Sequence, residues 1–528
     1  MARGATRRRT TRRRRGSGRC SVTTSSSSAI RYTPPCVRRA RAAEHPDRSQ
    51  ESRVNSRLGP VSELTRAPPL QRQGCGFSRG PSRRSSRGLL DAAILGSLLP
   101  EAHVLTRFEV VRDPLWNNIR LDPEALAVVD TPAVQRLRYV RQLGHAFLVY
   151  PGATHSRFEH ALGAYHLARR VLDALEDAGD VRPDPAERAR LKLAALLHDI
   201  GHYPFSHALE EAGLPRHEAL AARHLTSGAL AARLTELGTP AERLLPLIRG
   251  EARGPLVGLV AGSLDVDKLD YLSRDAWMCG VPYGVIDVDR LLSALTVAAG
   301  PDGRPTLALH EKGLAALESL LFAKYQMYRN VYWHHAVRSA TGMFKRLVRC
   351  AIAGGRLSPD GVALATDDGL IHDLMGNDPT GLARALRERR LAKRALDLPA
   401  TDLPPATPAW PSDDPDLLER VENRLAQELG LASGELFLDF PAKTDMLALD
   451  LPLVKRDGAV THLAGADAGA HLGLPRVAAE LYRSARRLRV FVMTSAAVPA
   501  KRIVELVMAP REDVAAQLDA GRPLLTNA

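Results

Sequence analysis

A histidine and an aspartate stand side by side, as His198-Asp199, at the end of the apolar segment from Leu191 to Leu197. Burying two ionisable side chains costs free energy, because the hydration that each one loses must be replaced by other partners. A divalent metal ion is one such partner, since imidazole nitrogen and carboxylate oxygen are both good ligands for it. The pair alone also fits a helix end, with His198 capping the helix and Asp199 accepting backbone N–H groups.

Two further residues extend this pair to a set of four candidate ligands. His160 and Asp267 both lie in segments whose apolar residues have helical spacing. Three helices would then converge on one metal ion, which favours a divalent metal site over isolated helix caps. These ligand types do not select the metal, so manganese, iron, magnesium and zinc are all candidates.

Five short motifs, in their order along the chain, resemble HD-domain deoxynucleoside triphosphate triphosphohydrolases. They are Gln135-Arg136-Leu137-Arg138-Tyr139, Gln142-Leu143-Gly144, Arg157-Phe158-Glu159-His160, His198-Asp199-Ile200-Gly201-His202, and Asp265-Val266-Asp267-Lys268-Leu269-Asp270-Tyr271-Leu272-Ser273-Arg274-Asp275. The resemblance covers roughly residues 108–350. It implies a metal-dependent enzyme that hydrolyses a deoxynucleoside triphosphate to the deoxynucleoside and triphosphate.

The resemblance also implies roles for individual residues. The metal ligands would be His160, His198, Asp199 and Asp267. Three further histidines would lie near the metal and steer protons or the polyphosphate, a task that suits a side chain titrating near neutral pH. These catalytic candidates are His202, His207 and His217, and each of them could instead be a surface or helix-capping histidine.

Candidate substrate contacts follow from spacing as well as from the resemblance. Lys268, Tyr271 and Asp275 recur at intervals of three and four, so one helix face presents a cation, a ring and a carboxylate beside Asp267. A solvated face with an ordinary ion pair is the alternative. The resemblance assigns Lys268 and Arg157 to the phosphates, and Gln142, Tyr271, Asp275 and Tyr332 to the sugar. Tyr332 could equally be an ordinary core residue.

A possible regulatory site rests on three residues. Asp130, Gln135 and Arg138 resemble residues that bind an activating guanine nucleotide between subunits in some of these enzymes. The resemblance therefore implies a homo-oligomer with a nucleotide activator. The alternative is a capped helix with a surface ion pair.

The elements that must position these residues are mainly helices. Apolar spacing predicts helices at 131–143, 156–175, 191–200 and 263–278, after a short strand and turn between residues 108 and 122. Toward the C-terminus, strands are predicted near residues 435–440, 445–455 and 487–494, with helices at 477–486 and 500–508. The expected fold class is mainly α, with a helical HD-domain core, a smaller C-terminal α/β appendage and a disordered N-terminal tail.

The predicted regions are a disordered tail (1–103), an HD phosphohydrolase domain (104–355), a helical extension with a proline-rich linker (356–430) and a C-terminal α/β region (431–528). The linker is placed at residues 397–416, where six prolines occur.

The charge of the chain is concentrated in the predicted tail. The first 100 residues contain 22 arginines, no lysine and five acidic residues, whereas the rest is slightly acidic, although the whole chain carries +14. Such a tail could be a nucleic-acid-binding arm, an organellar transit peptide, or a segment added by a start codon assigned too far upstream. The last explanation is favoured, so nucleic acid is not the expected partner.

Several function classes lack support. The sequence contains no P-loop, no dinucleotide-binding glycine motif and no paired cysteines of a zinc ribbon. No apolar run approaches the length of a membrane span, and a cytoplasmic location is expected. Two alternatives to the leading function stay open: an HD phosphohydrolase acting on a nucleoside monophosphate or other phosphoester, and a non-catalytic regulator that binds nucleotides or nucleic acid.

Overall fold

The computed structural model describes residues 108–404, 408–442, 446–464, 471–473 and 477–525. The predicted disordered tail, residues 1–103, lies outside the described residues. Within them the fold is mainly α-helical, with small sheets concentrated in the second half, as the sequence predicts. Every helix in these ranges is too short or too polar to cross a membrane.

An antiparallel hairpin opens the described chain. Strand β1 (Glu109–Asp113) pairs with β2 (Asn117–Leu121). The Asp113 carboxylate closes the turn, because its Oδ1 accepts from the backbone N–H of Leu115 at 2.9 Å and of Trp116 at 2.7 Å. The strand and turn predicted in this region are confirmed.

The α-helices of the described residues are, in chain order, α1 (Pro123–Val129), α2 (Pro132–Arg136), α3 (Arg157–Asp177), α4 (Pro185–Leu197), α5 (His217–Thr226), α6 (Gly228–Glu236), α7 (Ala241–Ile248), α8 (Val266–Cys279), α9 (Val288–Leu292), α10 (Leu314–Met327), α11 (His335–Ala353), α12 (Pro359–Leu364), α13 (Asp367–Gly376), α14 (Leu382–Arg387), α15 (Trp410–Asp413), α16 (Pro415–Glu428), α17 (Ala478–Ala485), α18 (Ala500–Met508) and α19 (Arg511–Asp519).

The three helices that carry the motifs have clear local signals. Helix α3 begins after Ser156, which forms a reciprocal capping box with Glu159. Helix α8 begins after Asp265 and stops at Gly280, whose φ of 67° is left-handed and suits glycine. Helix α4 ends immediately before His198, so the histidine-aspartate pair leaves the helix rather than continuing it.

The helix predicted at 131–143 is wrong beyond its first turn and a half. Helix α2 ends early, and the chain becomes extended at Val140. The cause is a tertiary contact, because Arg141 pairs with Ser156 in an antiparallel bridge. Pairing between distant segments overrides the local helical preference here.

One continuous apolar core joins α3, α4, α8 and α10. Its fully buried residues include Tyr165, Leu167, Leu196, Leu272 and Leu317. The core therefore fixes the relative positions of the three motif-bearing helices.

The other strands are β3 (Leu295–Ala299), β4 (Pro305–His310), β5 (Lys393–Pro399), β6 (Leu436–Asp439), β7 (Asp450–Val454), β8 (Val460–Ala464) and β9 (Arg487–Val492). One sheet has the order β3-β4-β7-β8, in which β4 and β7 are parallel and the other neighbours antiparallel. The second has the antiparallel order β5-β9-β6. The three C-terminal strands and two C-terminal helices predicted from sequence are confirmed as β6, β7, β9, α17 and α18.

The proline-rich segment at 397–416 differs from the predicted linker. Its first residues belong to β5, and Leu403 and Trp410 are buried in one apolar cluster with Leu438 and Val490 of the second sheet. Apolar side chains between the prolines, namely Leu398, Ala400, Leu403 and Trp410, thus pack the segment against the second sheet. Residues 405–407 lie outside the described ones.

Candidate active site

Four polar side chains converge where α3, the end of α4 and α8 meet. Nε2 of His160 lies 3.2 Å from Nε2 of His198 and 3.2 Å from Oδ1 of Asp267. Nε2 of His198 lies 3.4 Å from Oδ1 of Asp199 and 3.6 Å from Oδ1 of Asp267. The structure therefore brings together the four residues predicted as metal ligands.

The orientation of the two imidazoles fits a metal ion. The Nδ1 atom of His160 faces Asp270 Oδ2 at 2.8 Å, and Nδ1 of His198 faces the Ala195 carbonyl at 2.8 Å. Each ring therefore keeps Nε2 free to face the cluster, the arrangement in which a neutral histidine binds a metal. Two imidazole nitrogens and two carboxylates form a donor set that suits a divalent cation.

The electrostatics of the cluster also favour a cation. Burial lowers the pKa of His160, but the carboxylates of Asp267 and Asp270 outweigh burial and raise it to about 10. Burial raises the pKa of Asp267, yet His160 and His198 lower it well below its ordinary value. Positive charge at the cluster therefore stabilises the ionised carboxylates, and a metal ion would supply this charge in place of a proton.

A second layer of buried groups holds His160. Asp270 accepts from both the Nε and Nη2 of Arg274, at 2.8 and 2.9 Å, and from the indole of Trp116 at 2.5 Å. Arg274 is also paired with Asp113 at 2.8 Å. Sequence reasoning did not assign these residues, although Asp270 stands in the same motif as Asp267.

Gly163 permits this layer to form. It lies one turn after His160 on α3, and a Cβ added there would be 1.8 Å from Asp270 Oδ1 and 2.6 Å from Arg274 Nη2. Only glycine lets α8 approach α3 so closely at this point.

The three histidines predicted to be catalytic lie together beside the four candidate metal ligands. The rings of His202 and His217 stack at 3.9 Å, and His207 meets His202 edge-on at 4.7 Å. Nε2 of His202 is 3.1 Å from Asp199 Oδ1, which connects this group to the metal ligands. Of the three, His207 is the most exposed.

Glu210 joins the same group and was missed from sequence. Its Oε1 lies 2.8 Å from Nδ1 of His217 and 3.3 Å from Nδ1 of His207. Burial raises the pKa of Glu210, but the two histidines lower it well below the ordinary value. The spacing of three residues from His207 was the signal that could have identified it. Together with His202, these side chains form a group of four, His202, His207, Glu210 and His217, that could itself hold a cation.

Arg157 connects the two clusters. Its guanidinium donates to Asp199 and to the Ser206 hydroxyl, and its side chain is 5% exposed. Burial raises the pKa of Asp199, but Arg157 and the neighbouring histidines hold it well below the ordinary value. The predicted phosphate contact thus also fixes a candidate metal ligand.

The predicted sugar contacts lie along α8 and the π-helical turn Tyr328–Tyr332. The Tyr332 hydroxyl donates to Asp275 Oδ2 at 2.7 Å, and Nε2 of His155 lies 2.8 Å from Asp275 Oδ1. The rings of Tyr271 and Tyr332 are 6.5 Å apart, centroid to centroid. The structure thus brings these three predicted residues together and adds His155.

Gln142 is connected to this group of predicted sugar contacts through His155, whose carbonyl accepts from the Gln142 backbone N–H at 3.0 Å. Its buried Oε1 has no hydrogen-bond partner among the described residues. Lys268 was predicted to contact the phosphates. Its ammonium donates to Asp265 at 2.6 Å and to the Gly262 carbonyl at 2.8 Å.

The predicted regulatory residues are only partly brought into contact. Arg138 donates to Gln135 Oε1 at 2.7 Å and lies over the Phe158 ring at 3.6 Å, while Gln135 donates to the Val129 carbonyl. Asp130 is exposed at the end of α1. A nucleotide site here stays a prediction.

Two protein families match this chain. The HD domain matches residues 157–275, and the HD associated region matches residues 286–468. The chain is 33% identical over 334 residues to the uncharacterized protein MJ1154 of Methanocaldococcus jannaschii, covering 63% of this chain and 68% of that one. The chain therefore belongs to the HD superfamily of phosphohydrolases, whose domains are metal-dependent.

Other relatives are covered less completely. Identity is 33% to the uncharacterized protein YwfO of Bacillus subtilis, over 47% of this chain and 57% of that one. It is 30% to the human deoxynucleoside triphosphate triphosphohydrolase SAMHD1, over 45% of this chain. The chain spans 43% of SAMHD1, so less than half of that relative is represented.

Two solved structures share the fold. A hypothetical protein from Aquifex aeolicus has a TM-score of 0.58 at 27% identity, covering 73% of this chain and 96% of that one. A phosphohydrolase from Bacteroides thetaiotaomicron also has a TM-score of 0.58, at 23% identity, covering 73% of this chain and 100% of that one. At that identity the second likeness shows the fold alone.

Proposed function

We propose that this protein hydrolyses deoxynucleoside triphosphates in a metal-dependent reaction that releases the deoxynucleoside and triphosphate. The observation that carries the proposal is one face of α8, on which Asp267, Tyr271 and Asp275 follow at intervals of four residues. A candidate metal ligand, an aromatic ring and a fixed carboxylate stand in a row. This order fits a phosphate beside the metal and a sugar further along the helix. The similarity to SAMHD1 supports the same substrate class.

The reaction adds the oxygen of water to the α-phosphorus and breaks its bond to the 5′ oxygen of the sugar. A divalent metal held by His160, His198, Asp199 and Asp267 would polarise the phosphate and favour deprotonation of the attacking water. Arg157 keeps the Asp199 carboxylate oriented toward the cluster and adds a positive charge beside the phosphates.

The histidine cluster provides the proton that the departing 5′ oxygen needs. His207 is the exposed member of the cluster and would meet the substrate first, whereas buried His202 contacts Asp199. Glu210 holds His217 and His207 by their Nδ1 atoms, so their Nε2 atoms are left for proton transfer.

The predicted sugar contacts give a physical reason for nucleotide binding. Asp275 is fixed by His155 and Tyr332, so its position does not depend on substrate. The unpartnered Oε1 of Gln142 would gain a donor from a sugar hydroxyl, which removes the cost of leaving a buried acceptor unpaired. Lys268 would exchange part of its bond with Asp265 for a phosphate oxygen.

A homo-oligomer with a guanine-nucleotide activator is part of this proposal. Arg138 and Gln135 are already in contact, and Asp130 is exposed beside them, so a guanine base could be recognised at this surface. The activator is tested by the rate at which another dNTP is hydrolysed with and without GTP or dGTP.

The decisive experiment is product analysis by chromatography. The full chain is incubated with each dNTP and with Mn²⁺ or Mg²⁺, beside a variant that carries His198→Ala and Asp199→Ala. Deoxynucleoside and triphosphate, formed by the wild type and not by the variant, are the expected products. If no dNTP is turned over, with or without GTP, the proposal of a dNTP substrate is lost.

The same assay separates the alternatives. Release of phosphate from nucleoside monophosphates or other phosphoesters, without turnover of dNTPs, would favour a different substrate for the same metal site. A non-catalytic regulator would bind nucleotides or nucleic acid without any turnover. Loss of that binding on removal of residues 1–100 would favour this last function, whereas unchanged binding and activity would contradict it.

A further inference from the structure

The loop that carries His207 has an unusual backbone. Phe205 and Ser206 have φ values of 58° and 63°, in the left-handed region that residues other than glycine rarely adopt. Consecutive left-handed residues of this kind persist only where surrounding contacts hold them. The turn leads directly into His207, so whatever holds it also positions this histidine.

Packing secures one side of the turn. The Phe205 ring stacks on His145 at 4.3 Å and contacts Phe344 at 4.5 Å. Its carbonyl lies against Gly144, where an added Cβ would be 2.8 Å from the oxygen. These contacts place the ring, but they leave the backbone N–H of Phe205 to be satisfied elsewhere.

That N–H donates to a carboxylate far away in the chain. Oδ1 of Asp367, the first residue of α13, accepts from the Phe205 N–H at 2.8 Å. Oδ2 of the same side chain accepts from the backbone N–H of Arg141 at 3.1 Å and from its Nη1 at 3.2 Å. Asp367 is 1% exposed. One buried carboxylate therefore joins the turn before His207 to the residue before Gln142.

A second contact links the same two parts of the chain. Arg136 donates from Nη2 to the His202 carbonyl at 2.7 Å and to the Ala363 carbonyl at 2.8 Å. Its Nε faces the carbonyls of Leu364 and Ala365 at 3.2 and 3.1 Å. Residues 363–367 are thus connected to His202, through Arg136, and directly to Phe205.

Burying the Asp367 carboxylate in this arrangement costs free energy, because its charged form loses hydration. Burial raises the pKa of Asp367 to about 6, although the hydrogen bonds from Phe205 and Arg141 oppose the shift. A polar or apolar residue that only filled space would avoid this cost. The carboxylate has no hydrogen bond to any of the four candidate metal ligands, so it acts on the site through Phe205 and Arg141.

We propose that Asp367 is a positioning residue of the hydrolytic site, which holds the Phe205-Ser206 turn so that His207 stays beside His202 and which fixes the Arg141-Gln142 segment opposite. The residue lies in the part of the chain that matches the HD associated region, outside the HD domain itself. The associated region therefore completes the active site. The effect on turnover rests on the proposed function, whereas the effect on the turn does not.

The test compares Asp367→Asn with Asp368→Asn. An amide has one acceptor oxygen and must turn its NH₂ toward either the Phe205 N–H or Arg141, whereas Asp368 is an exposed neighbour, 3.7 Å from Arg141 Nη2. We expect Asp367→Asn to reduce kcat at least tenfold, with a smaller change in KM and with the metal content of the wild type. Asp368→Asn should retain wild-type kcat. A kcat for metal-loaded Asp367→Asn within twofold of wild type would overturn the proposal.

A readout without substrate separates this proposal from the proposed function. Hydrogen–deuterium exchange of peptides spanning residues 203–208 should quicken in Asp367→Asn and not in Asp368→Asn. If the wild type hydrolyses no dNTP but exchange quickens, the turn is held as proposed and the substrate is wrong. If exchange is unchanged, positioning by Asp367 is wrong whatever the substrate. Should Asp367→Asn fail to fold, Arg141→Gln is measured in its place. This variant keeps the backbone N–H of Arg141 but removes the Nη1 contact with Asp367, together with the guanidinium contacts with Asp368 and the Phe147 ring. We expect a smaller loss of kcat, and an unchanged kcat and exchange would count against the proposal.

Discussion

Nδ1 of His160 lies 2.8 Å from Oδ2 of Asp270, on the side of the ring opposite to Nε2, which faces Asp267 and His198. The carboxylate therefore fixes both the orientation and the protonated nitrogen of the imidazole. A metal ligand held in this way is more basic and less mobile than a free histidine.

Replacing this carboxylate should weaken metal binding. Asp270→Asn keeps the shape of the side chain but removes its charge, so we expect the metal affinity to fall by about 10- to 100-fold. Metal content after dialysis against graded free Mn²⁺, measured by mass spectrometry, checks this. Asp173→Asn, at an exposed acid on α3, is the matched control. A folded Asp270→Asn protein with wild-type affinity would show that Asp270 does not support His160.

A methyl group at position 163 should disturb the same layer. Gly163→Ala would place Cβ 1.8 Å from Asp270 Oδ1, and both helices must shift to accept it. We expect the free energy of unfolding to fall by about 1–3 kcal/mol, together with lower metal affinity. Urea unfolding followed by circular dichroism measures the first effect. Gly376→Ala, where an added Cβ meets nothing within 4 Å, should change stability by less than about 1 kcal/mol.

His145 should make the protein sensitive to acid. Burial, with a smaller contribution from the positive charge of Arg141, lowers the pKa of His145 to about 3. Between pH 6.5 and that value the unfolded chain binds a proton that the folded protein does not, so the free energy of unfolding falls as the pH falls.

The variant His145→Phe keeps the stacking on Phe205 and removes the titration. We expect its loss of unfolding free energy between pH 7 and pH 4 to be about 1–3 kcal/mol smaller than that of the wild type. His372→Gln, at an exposed histidine, is the control and should follow the wild type. Parallel curves for wild type and His145→Phe would rule out a contribution from this ring.

Tyr332→Phe should impair substrate use without affecting the metal. Loss of the hydroxyl leaves Oδ2 of buried Asp275 without its donor, a cost of about 1–3 kcal/mol. We expect kcat/KM for the preferred nucleotide to fall about tenfold or more, at constant metal content. Steady-state kinetics with each dNTP tests this, and Tyr139→Phe, at an exposed tyrosine, serves as control. Equal kcat/KM values would remove Tyr332 from the substrate site.

Much of the site could be predicted because its residues lie in helices with strong local signals. His160 and Asp267 stand on α3 and α8, where apolar spacing and capping residues define the buried face. Their convergence with His198 follows once three apolar helices share one core. Predicting the four candidate ligands therefore required little information beyond the motifs.

The supporting residues could not be predicted in this way. Asp367 contacts Phe205 across 162 positions, and no periodicity indicates which acidic residue meets that N–H. The helix predicted at 131–143 was wrong for a related reason, since the bridge between Arg141 and Ser156 is invisible in either segment alone. Glu210 lay within reach of spacing arguments, whereas these two contacts depend on the whole fold.

The parallel pairing of β4 with β7, in which Leu309 lies opposite Leu453, sets a limit on how the chain can be divided. A fragment that ended between these strands would leave one edge of β4 without a partner, next to apolar side chains. Unpaired edges of this kind recruit strands from other molecules and promote aggregation. We therefore expect such a fragment to aggregate, whereas a chain that contains both strands keeps this edge of β4 paired.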